Sequence, residues 1–198
     1  LLYRVVSEVK KIPFIDEIVI ATTRAEADAP IAAAANNLGV DIYRGDSLNV
    51  LKRFKNAAAD LEEEDLVIRF TADNPMYDIG IAKKVFDQHI DGNYDYSHIE
   101  GLSHIVPEFI KVRALREVYS MVEDDFDKEH VTPYLRKNRD VFKLNTLPPN
   151  FEGLRGDLDK YFTVDTLEDM ALFERMLLAI GEMQDVGCLA KYFGWLEQ

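Results

Sequence analysis

The sequence predicts an α/β fold, a doubly wound sandwich with a mostly parallel sheet and one antiparallel hairpin. Three observations carry that prediction. Short β-branched runs alternate with segments whose apolar residues recur every three or four positions. The connections are short, with no internal repeat and no low-complexity linker. Two of the apolar runs, Leu66 to Phe70 and Tyr161 to Val164, are followed by a carboxylate at the point where they stop, Asp73 and Asp165. In an open α/β sheet the carboxyl ends of the strands are where ligands bind.

Leu2, Val5, Val6, Val9 and Ile12 form a helical stripe that ends at Pro13. Ile15 to Thr22 reads as a strand, apolar and β-branched at its centre. A helix follows, entered either at Thr23, whose spacing to Glu26 has the form of a capping box, or at Pro30. It runs through alanine-rich sequence to Leu38 and stops on Gly39. Val40 to Tyr43 is a short strand, and Arg44 to Ser47 a polar loop. Leu48, Leu51, Phe54, Ala58 and Leu61 mark the next amphipathic helix, and Glu62 to Asp65 a solvated turn.

Beyond the strand that leads to Asp73, Ala82, Val85, Phe86 and Ile90 stripe a helix that ends at Asp91-Gly92-Asn93. Strands near Tyr94 to Ile99 and Glu108 to Val112 form the hairpin, and Ala114 to Val122 a helix. Asp127 to Asn138 is a helical segment with Pro133 either in its first turn or at a kink. Val141 to Leu147 alternates as a strand does. After Asp165, Thr166 and Asp169 cap a helix faced by Met170, Phe173, Leu177 and Ile180. A last helix carries Leu189, Phe193 and Leu196.

The 198 residues suit one domain, with 47% hydrophobic and 30% charged residues in the range of soluble globular proteins. A net charge of −13 repels polyanions, which disfavours nucleic acid and anionic membrane as partners. No apolar run approaches the ~18 residues of a membrane span. The single cysteine, Cys188, excludes a disulfide framework, points to a cytoplasmic compartment and reads as a small buried residue.

Two carboxylates at neighbouring strand ends suit Mg²⁺, which takes hard oxygen ligands and leaves positions for phosphate and water. The same residues are equally common as helix caps, and spacing alone leaves both readings open. His89 reads as a helix-surface or boundary residue, while His98 and His104 flank a loop from which they can reach a substrate. Glu129 and His130 read locally as a helix N-terminal turn, the glutamate complementing the dipole. No zinc spacing, phosphate-binding glycine loop, dinucleotide fingerprint or nucleophile elbow is present.

Several segments, in order along nearly the whole chain, resemble the cytidylyltransferase family that makes CMP-activated sugars. The nearest branch is the spore-coat polysaccharide type, beside the CMP-sialic acid and CMP-KDO synthetases. The segments are Ile15 to Thr23, Tyr43-Arg44-Gly45, Val50 to Phe54, Arg69-Phe70-Thr71-Ala72-Asp73-Asn74-Pro75, Glu129-His130-Val131-Thr132-Pro133-Tyr134 and Thr163 to Asp169. The Glu-His-Val-Thr-Pro-Tyr run is the most specific of them.

The resemblance implies a Rossmann-like, three-layer αβα nucleotidyltransferase fold. It also implies the reaction of CTP with a sugar to give a CMP-sugar and pyrophosphate. It places Mg²⁺ on Asp73 and Asp165, with Arg69 as a partner holding Asp73 or as a surface charge. It puts nucleotide contacts near Thr22, Thr23, Arg44, Gly45 and Ala72, and sugar contacts at Glu100 to His104, including His104, and at Glu129 and His130. A homodimer is expected on the same ground.

The resemblance further places a first strand and a basic, phosphate-cradling loop ahead of residue 1. The chain is therefore expected to be N-terminally truncated by roughly 25–35 residues, and poorly active as it stands. Position 72 is Ala where the family usually has Gly. Two other functions stand beside this one. A nucleotide-sugar glycosyltransferase would want an Asp-x-Asp after a strand, which Asp73-Asn74-Pro75 does not supply. A non-catalytic binding or assembly module would show no metal-dependent nucleotide binding.

Overall fold

The computed structural model describes residues 1–154 and 163–180. Cys188, the expected last helix through Leu189, Phe193 and Leu196, and the first half of the strand expected at Tyr161 to Val164 lie outside the described residues.

Strands β1 (Val19–Thr23) and β2 (Asp41–Gly45) pair in parallel. Strands β3 (Leu66–Arg69), β4 (Tyr96–Ile99), β5 (Glu108–Lys111) and β6 (Leu144–Leu147) form a second sheet in the order β3-β5-β4-β6. Strand β5 is antiparallel to both β3 and β4, and β4 is parallel to β6. Three strands of this sheet therefore run one way, and β5 runs against them as the returning arm of the expected hairpin.

The two faces of the larger sheet follow from strand alternation. Phe109 and Ile99 pack on one side with Ala82 and Val85 of α4 (Ile79–Gly92) and with Phe173 and Met176 of α8 (Leu167–Ile180). Tyr96 and Ile110 pack on the other with Leu51 of α3 (Val50–Ala57) and with Ala114, Leu115 and Val118 of α5 (Val112–Met121). The result is the three-layer αβα sandwich the alternation predicts. Helix α1 (Leu2–Val9) buries Val5 and Val9 with Ile12 against Ile15, Ile18, Phe70 and Tyr77, so it spans from the approach to β1 to the exit of β3.

Several boundaries differ from expectation. Strand β1 starts at Val19, because Ile15 and Ile18 serve the α1 cluster instead of the ladder. Helix α2 (Ala29–Leu38) begins beside Pro30 after a 3₁₀ turn, Glu26–Asp28, and Gly39 ends it at φ 62°. The Thr23 hydroxyl accepts from Ala25 N–H at 3.1 Å, so the expected capping box does not form. The helical segment expected from Asp127 to Asn138 is divided into α6 (Asp125–His130) and α7 (Pro133–Lys137), broken at Val131, with Pro133 in the first turn of α7.

Candidate active site

Strand β3 ends at Arg69, and the chain then makes a tight polar turn. The Tyr77 hydroxyl accepts from Thr71 N–H at 2.7 Å, and the Asn74 amide donates to the Thr71 hydroxyl. The turn holds Asp73 with its Oδ1 buried and without a partner, and the neighbouring Asn74 Oδ1 is in the same condition. Asp73 does not cap the helix that follows. That part belongs to Asp78, whose carboxylate accepts from Ile81 N–H at 2.8 Å.

The backbone ties the segment that carries Asp165 to the Asp73 turn. Val164 N–H donates to the Asp73 carbonyl at 2.9 Å, so Asp165 lies one residue from a direct link to Asp73. Asp165 is exposed, and it does not cap α8 either. Thr166 and Asp169 form the box there: Asp169 Oδ2 accepts from Thr166 N–H at 2.8 Å and Asp165 N–H at 3.1 Å, and Thr166 Oγ1 accepts from Asp169 N–H at 3.2 Å. The Thr166 hydroxyl and amide hold the Asp169 carboxyl below its usual range. Neighbours thus do the capping, and neither Asp73 nor Asp165 caps a helix.

Residues that would hold a hard cation are accordingly present, namely Asp73 with an orphaned buried oxygen and Asp165 beside it. Among the described residues no group of three or more His, Cys, Asp or Glu is placed for a metal. An oxygen pair without nitrogen or sulfur ligands fits an ion that leaves its other positions to substrate phosphate and water.

Thr22, Thr23, Arg44 and Gly45 come together at the carboxyl ends of β1 and β2, where Thr22 is in register with Arg44 and Thr23 with Gly45. Their side chains bind one another and the loop. Asp28 accepts from Thr22 Oγ1 at 3.1 Å, from Thr23 N–H at 3.2 Å and from the Thr23 hydroxyl, and the two threonines hold its carboxyl below the usual range. Arg44 donates to the carbonyls of Thr23 at 2.9 Å and Ala25 at 2.7 Å. Sequence reading missed Asp28, because nothing local distinguishes it from a helix-entry aspartate. Ala72 is exposed on the turn before Asp73.

Arg69 is neither a surface charge nor a partner of Asp73. Its Nη1 donates to Glu108 Oε2 at 2.7 Å and its guanidinium lies 6.0 Å from the Phe54 ring centre. His98 lies within β4, inside the strand expected at Tyr94 to Ile99, but it is buried and stacks on Tyr96 at 4.8 Å instead of reaching out from beside the loop. Burial pushes its pKa down to about 4. His89 is not on the helix surface: it is 1% exposed, its Nδ1 lies 2.7 Å from Ser97 Oγ, and burial likewise takes its pKa to about 4.

His104 is half-buried in the turn after β4, beside Ile105, whose carbonyl accepts from Asp78 N–H at 2.8 Å. That bond fixes the His104 turn to the segment leading out of the Asp73 turn. Glu129 and His130 are exposed at the C-terminal end of α6, so the expectation of a helix N-terminal turn is corrected. The next residue, Val131, is fully buried at φ 70° and ψ −55°, with Thr132 N–H donating to the His130 carbonyl at 2.8 Å. This is a γ-turn, strained for a β-branched residue, of the kind that persists only where the surroundings enforce it.

The sequence matches the cytidylyltransferase family over residues 1–192. The chain belongs to the cytidylyltransferase family. It is 35% identical over 172 residues to an uncharacterized protein of Methanocaldococcus jannaschii, covering 83% of this chain and 67% of that protein. It is 29% identical over 176 residues to the spore coat polysaccharide biosynthesis protein SpsF of Bacillus subtilis, covering 86% of this chain and 71% of the relative.

A solved cytidylyltransferase from Leptospira borgpetersenii shares the fold at a TM-score of 0.82 and 23% identity, over 99% of this chain and 81% of that one. A CMP:2-keto-3-deoxy-manno-octonic acid synthetase complexed with CTP shares it at 0.54 and 11% identity, over 74% and 78%. Membership in the family makes this cytidylyltransferase an enzyme of nucleotidyl transfer with CTP. Among the described residues no helix is long and apolar enough to cross a membrane.

Proposed function

We propose that this cytidylyltransferase activates a sugar, a polysaccharide or nonulosonic-acid-type precursor, with CTP. The oxygen of a sugar hydroxyl bonds to the α-phosphorus as the bond from that phosphorus to the bridging oxygen of the β-phosphate breaks. The products are CMP-sugar and pyrophosphate, and the hydroxyl proton passes to solvent. The observation that carries the proposal is the backbone bond from Val164 N–H to the Asp73 carbonyl, which sets the residue before Asp165 against the Asp73 turn while neighbours cap both helices.

In this reading Asp73 and Asp165 hold Mg²⁺, which when bound neutralises charge developing on the phosphate oxygens. The ends of β1 and β2, with Thr22, Thr23, Arg44 and Gly45, take the base and ribose. Asp28 and Arg44 keep that loop in one shape by binding its hydroxyls and carbonyls. Ala72 lets the nucleotide approach the turn before Asp73. His104, Glu129 and His130 face the acceptor. Arg69 acts behind the site, through Glu108.

The test is pyrophosphate release by the full-length protein from each of the four nucleoside triphosphates, with Mg²⁺ and a panel of sugars. Release is expected with CTP alone, to be lost on chelation and restored by Mg²⁺. Absence of release with every pair would sink the proposal. Asp73→Asn and Asp165→Asn should each lower turnover on the order of 10²–10³-fold, the scale of losing one electrostatic stabiliser of a transition state. Their melting temperatures should hold or rise, because neither residue caps a helix and each variant relieves repulsion between like charges. A lower melting temperature with undiminished turnover would return both residues to a structural role.

A further inference from the structure

Glu108 is the first residue of β5 and is 1% exposed. A carboxylate so buried is held in place only by partners that compensate its lost hydration. It has three, on three different elements. Arg69 of β3 donates to Oε2 at 2.7 Å, Arg136 of α7 donates to Oε1 at 2.6 Å, and the Tyr96 hydroxyl of β4 donates to Oε1. Arg136 Nε also donates to the Tyr96 hydroxyl at 3.0 Å, and its Nη2 to Thr132 Oγ1 at 3.3 Å. Burial pushes the Glu108 carboxyl up, but the two guanidiniums outweigh it and leave the pKa below the ordinary value. Burial also pulls Arg136 down, and its hydrogen bonds to the Tyr96 hydroxyl and Glu108, with the Glu108 charge, more than restore it.

The placement of the partners is what gives this cluster a role. Arg69 is the last residue of β3, four positions before Asp73. Arg136 lies one turn into α7 and reaches back to Thr132, the residue after the strained Val131 and two after His130. One side of Glu108 therefore ends on the strand that carries the metal-side turn. The other ends on the corner that carries Glu129 and His130. A strained γ-turn needs such an anchor to persist.

We propose that Glu108 is a positioning residue that locks the Asp73 turn and the α6–α7 corner into one register, so that the two sides of the reaction meet at a fixed separation. The proposal rests on the site reading above for its effect on turnover. The mechanical coupling itself stands on the contacts of Glu108 alone. Bonds to charged groups at a buried site are directional and short, which suits them to fix geometry even where they add little net stability.

Hydrogen exchange on the full-length protein tests the coupling without any substrate. Glu108→Gln keeps the side-chain shape and removes the charge that faces both arginines. The amides of Thr71 and Asn74, and those of Val131 and Thr132, should exchange about tenfold faster in this variant, while those of α2 keep their rates. Val112→Ala opens a cavity in the core at the far end of β5, and it should leave both turns at wild-type rates. Faster exchange in only one turn or neither overturns the proposal, as does the same pattern in Val112→Ala. If Glu108→Gln does not fold, Arg136→Lys carries the same test, since it keeps the charge and loses the fork.

In turnover, Glu108→Gln should lower kcat on the order of 10²-fold, the scale of a ~1 Å misplacement, with KM for CTP little changed. Unchanged kcat in this variant, with activity lost in Asp73→Asn, overturns the positioning role and leaves the site reading intact. Coupled exchange with no pyrophosphate release by the wild type does the reverse.

Discussion

At the scale of single residues, the loop at the carboxyl end of β2 depends on a close approach that only glycine permits. A Cβ on Gly45 would stand 2.6 Å from Cε1 of Tyr43 and 3.0 Å from Cγ of Arg53. The tyrosine ring cannot simply swing away, because its hydroxyl accepts from Asn56 Nδ2 at 3.0 Å. Nor is Arg53 loose, since its Nη1 donates to the Asp46 carbonyl at 2.6 Å. Gly45→Ala is therefore expected to cost roughly 1–3 kcal/mol, the range for overpacking a filled site. Urea unfolding at neutral pH checks it, and a midpoint equal to wild type would mean that the ring and the arginine yield freely. Residue identity showed where this loop lies, because Tyr43-Arg44-Gly45 stands at a strand end. It did not show what fills it: Asp28 and Arg53 come in from other elements, Asp28 is marked by no local pattern, and the segment Val50 to Phe54 does not show that its arginine reaches this loop.

At the scale of elements, α8 shows how a cap can free a neighbouring carboxylate. Asp169 takes three donors from Asp165 and Thr166, so the chain entering α8 is fixed and Asp165 stands at a defined place beside Asp73. Asp169→Ala should fray the first turn of α8, lower the melting temperature and reduce pyrophosphate release together. Asp169→Asn, which keeps an accepting oxygen, should recover most of both. Thermal melts and turnover of the two variants decide it; an alanine variant with full turnover would show that Asp165 is placed without the cap. The Thr166–Asp169 spacing was legible in the sequence, as were the stripes of α1 and α3 and the hairpin of β4 and β5. A break near Pro133 was legible too, since that proline was expected in a first turn or at a kink. The buried valine at positive φ was not, because it is set by Arg136, Thr132 and the core around it. Phe126 and Lys137 hold the two short helices from outside, with the ammonium 5.6 Å from the ring centre.

At the scale of the whole molecule, two histidines buried inside the sandwich make its stability depend on pH. Sequence reading put His89 at a helix surface or boundary and His98 at the end of a strand beside a loop, because one apolar stripe does not reveal which other element will cover it. In the fold both are buried, His89 against Ser97 and the Phe109 ring, His98 against Tyr96 and Thr146. Burial, with the positive charges of Lys111 for His89 and Arg136 for His98, takes each pKa to about 4. The unfolded chain takes up these protons near pH 6.5, so it binds more of them than the native state between about pH 6.5 and 4. The stabilisation is therefore complete above pH 6.5 and is lost as the pH falls toward 4, at roughly 3 kcal/mol for each histidine. Carboxylates with lowered pKa, Glu108 among them, act in a lower window, because their contribution is lost only as the pH falls below the ordinary carboxylate range. Urea unfolding at pH 7.5, 6 and 5 should show stability falling across the series in the wild type. His89→Asn should flatten that slope by about half, whatever its stability at pH 7.5. A wild-type slope near zero over this range would mean that both imidazoles take up protons in the native state, and that the interior around β4 is wetter than its packing.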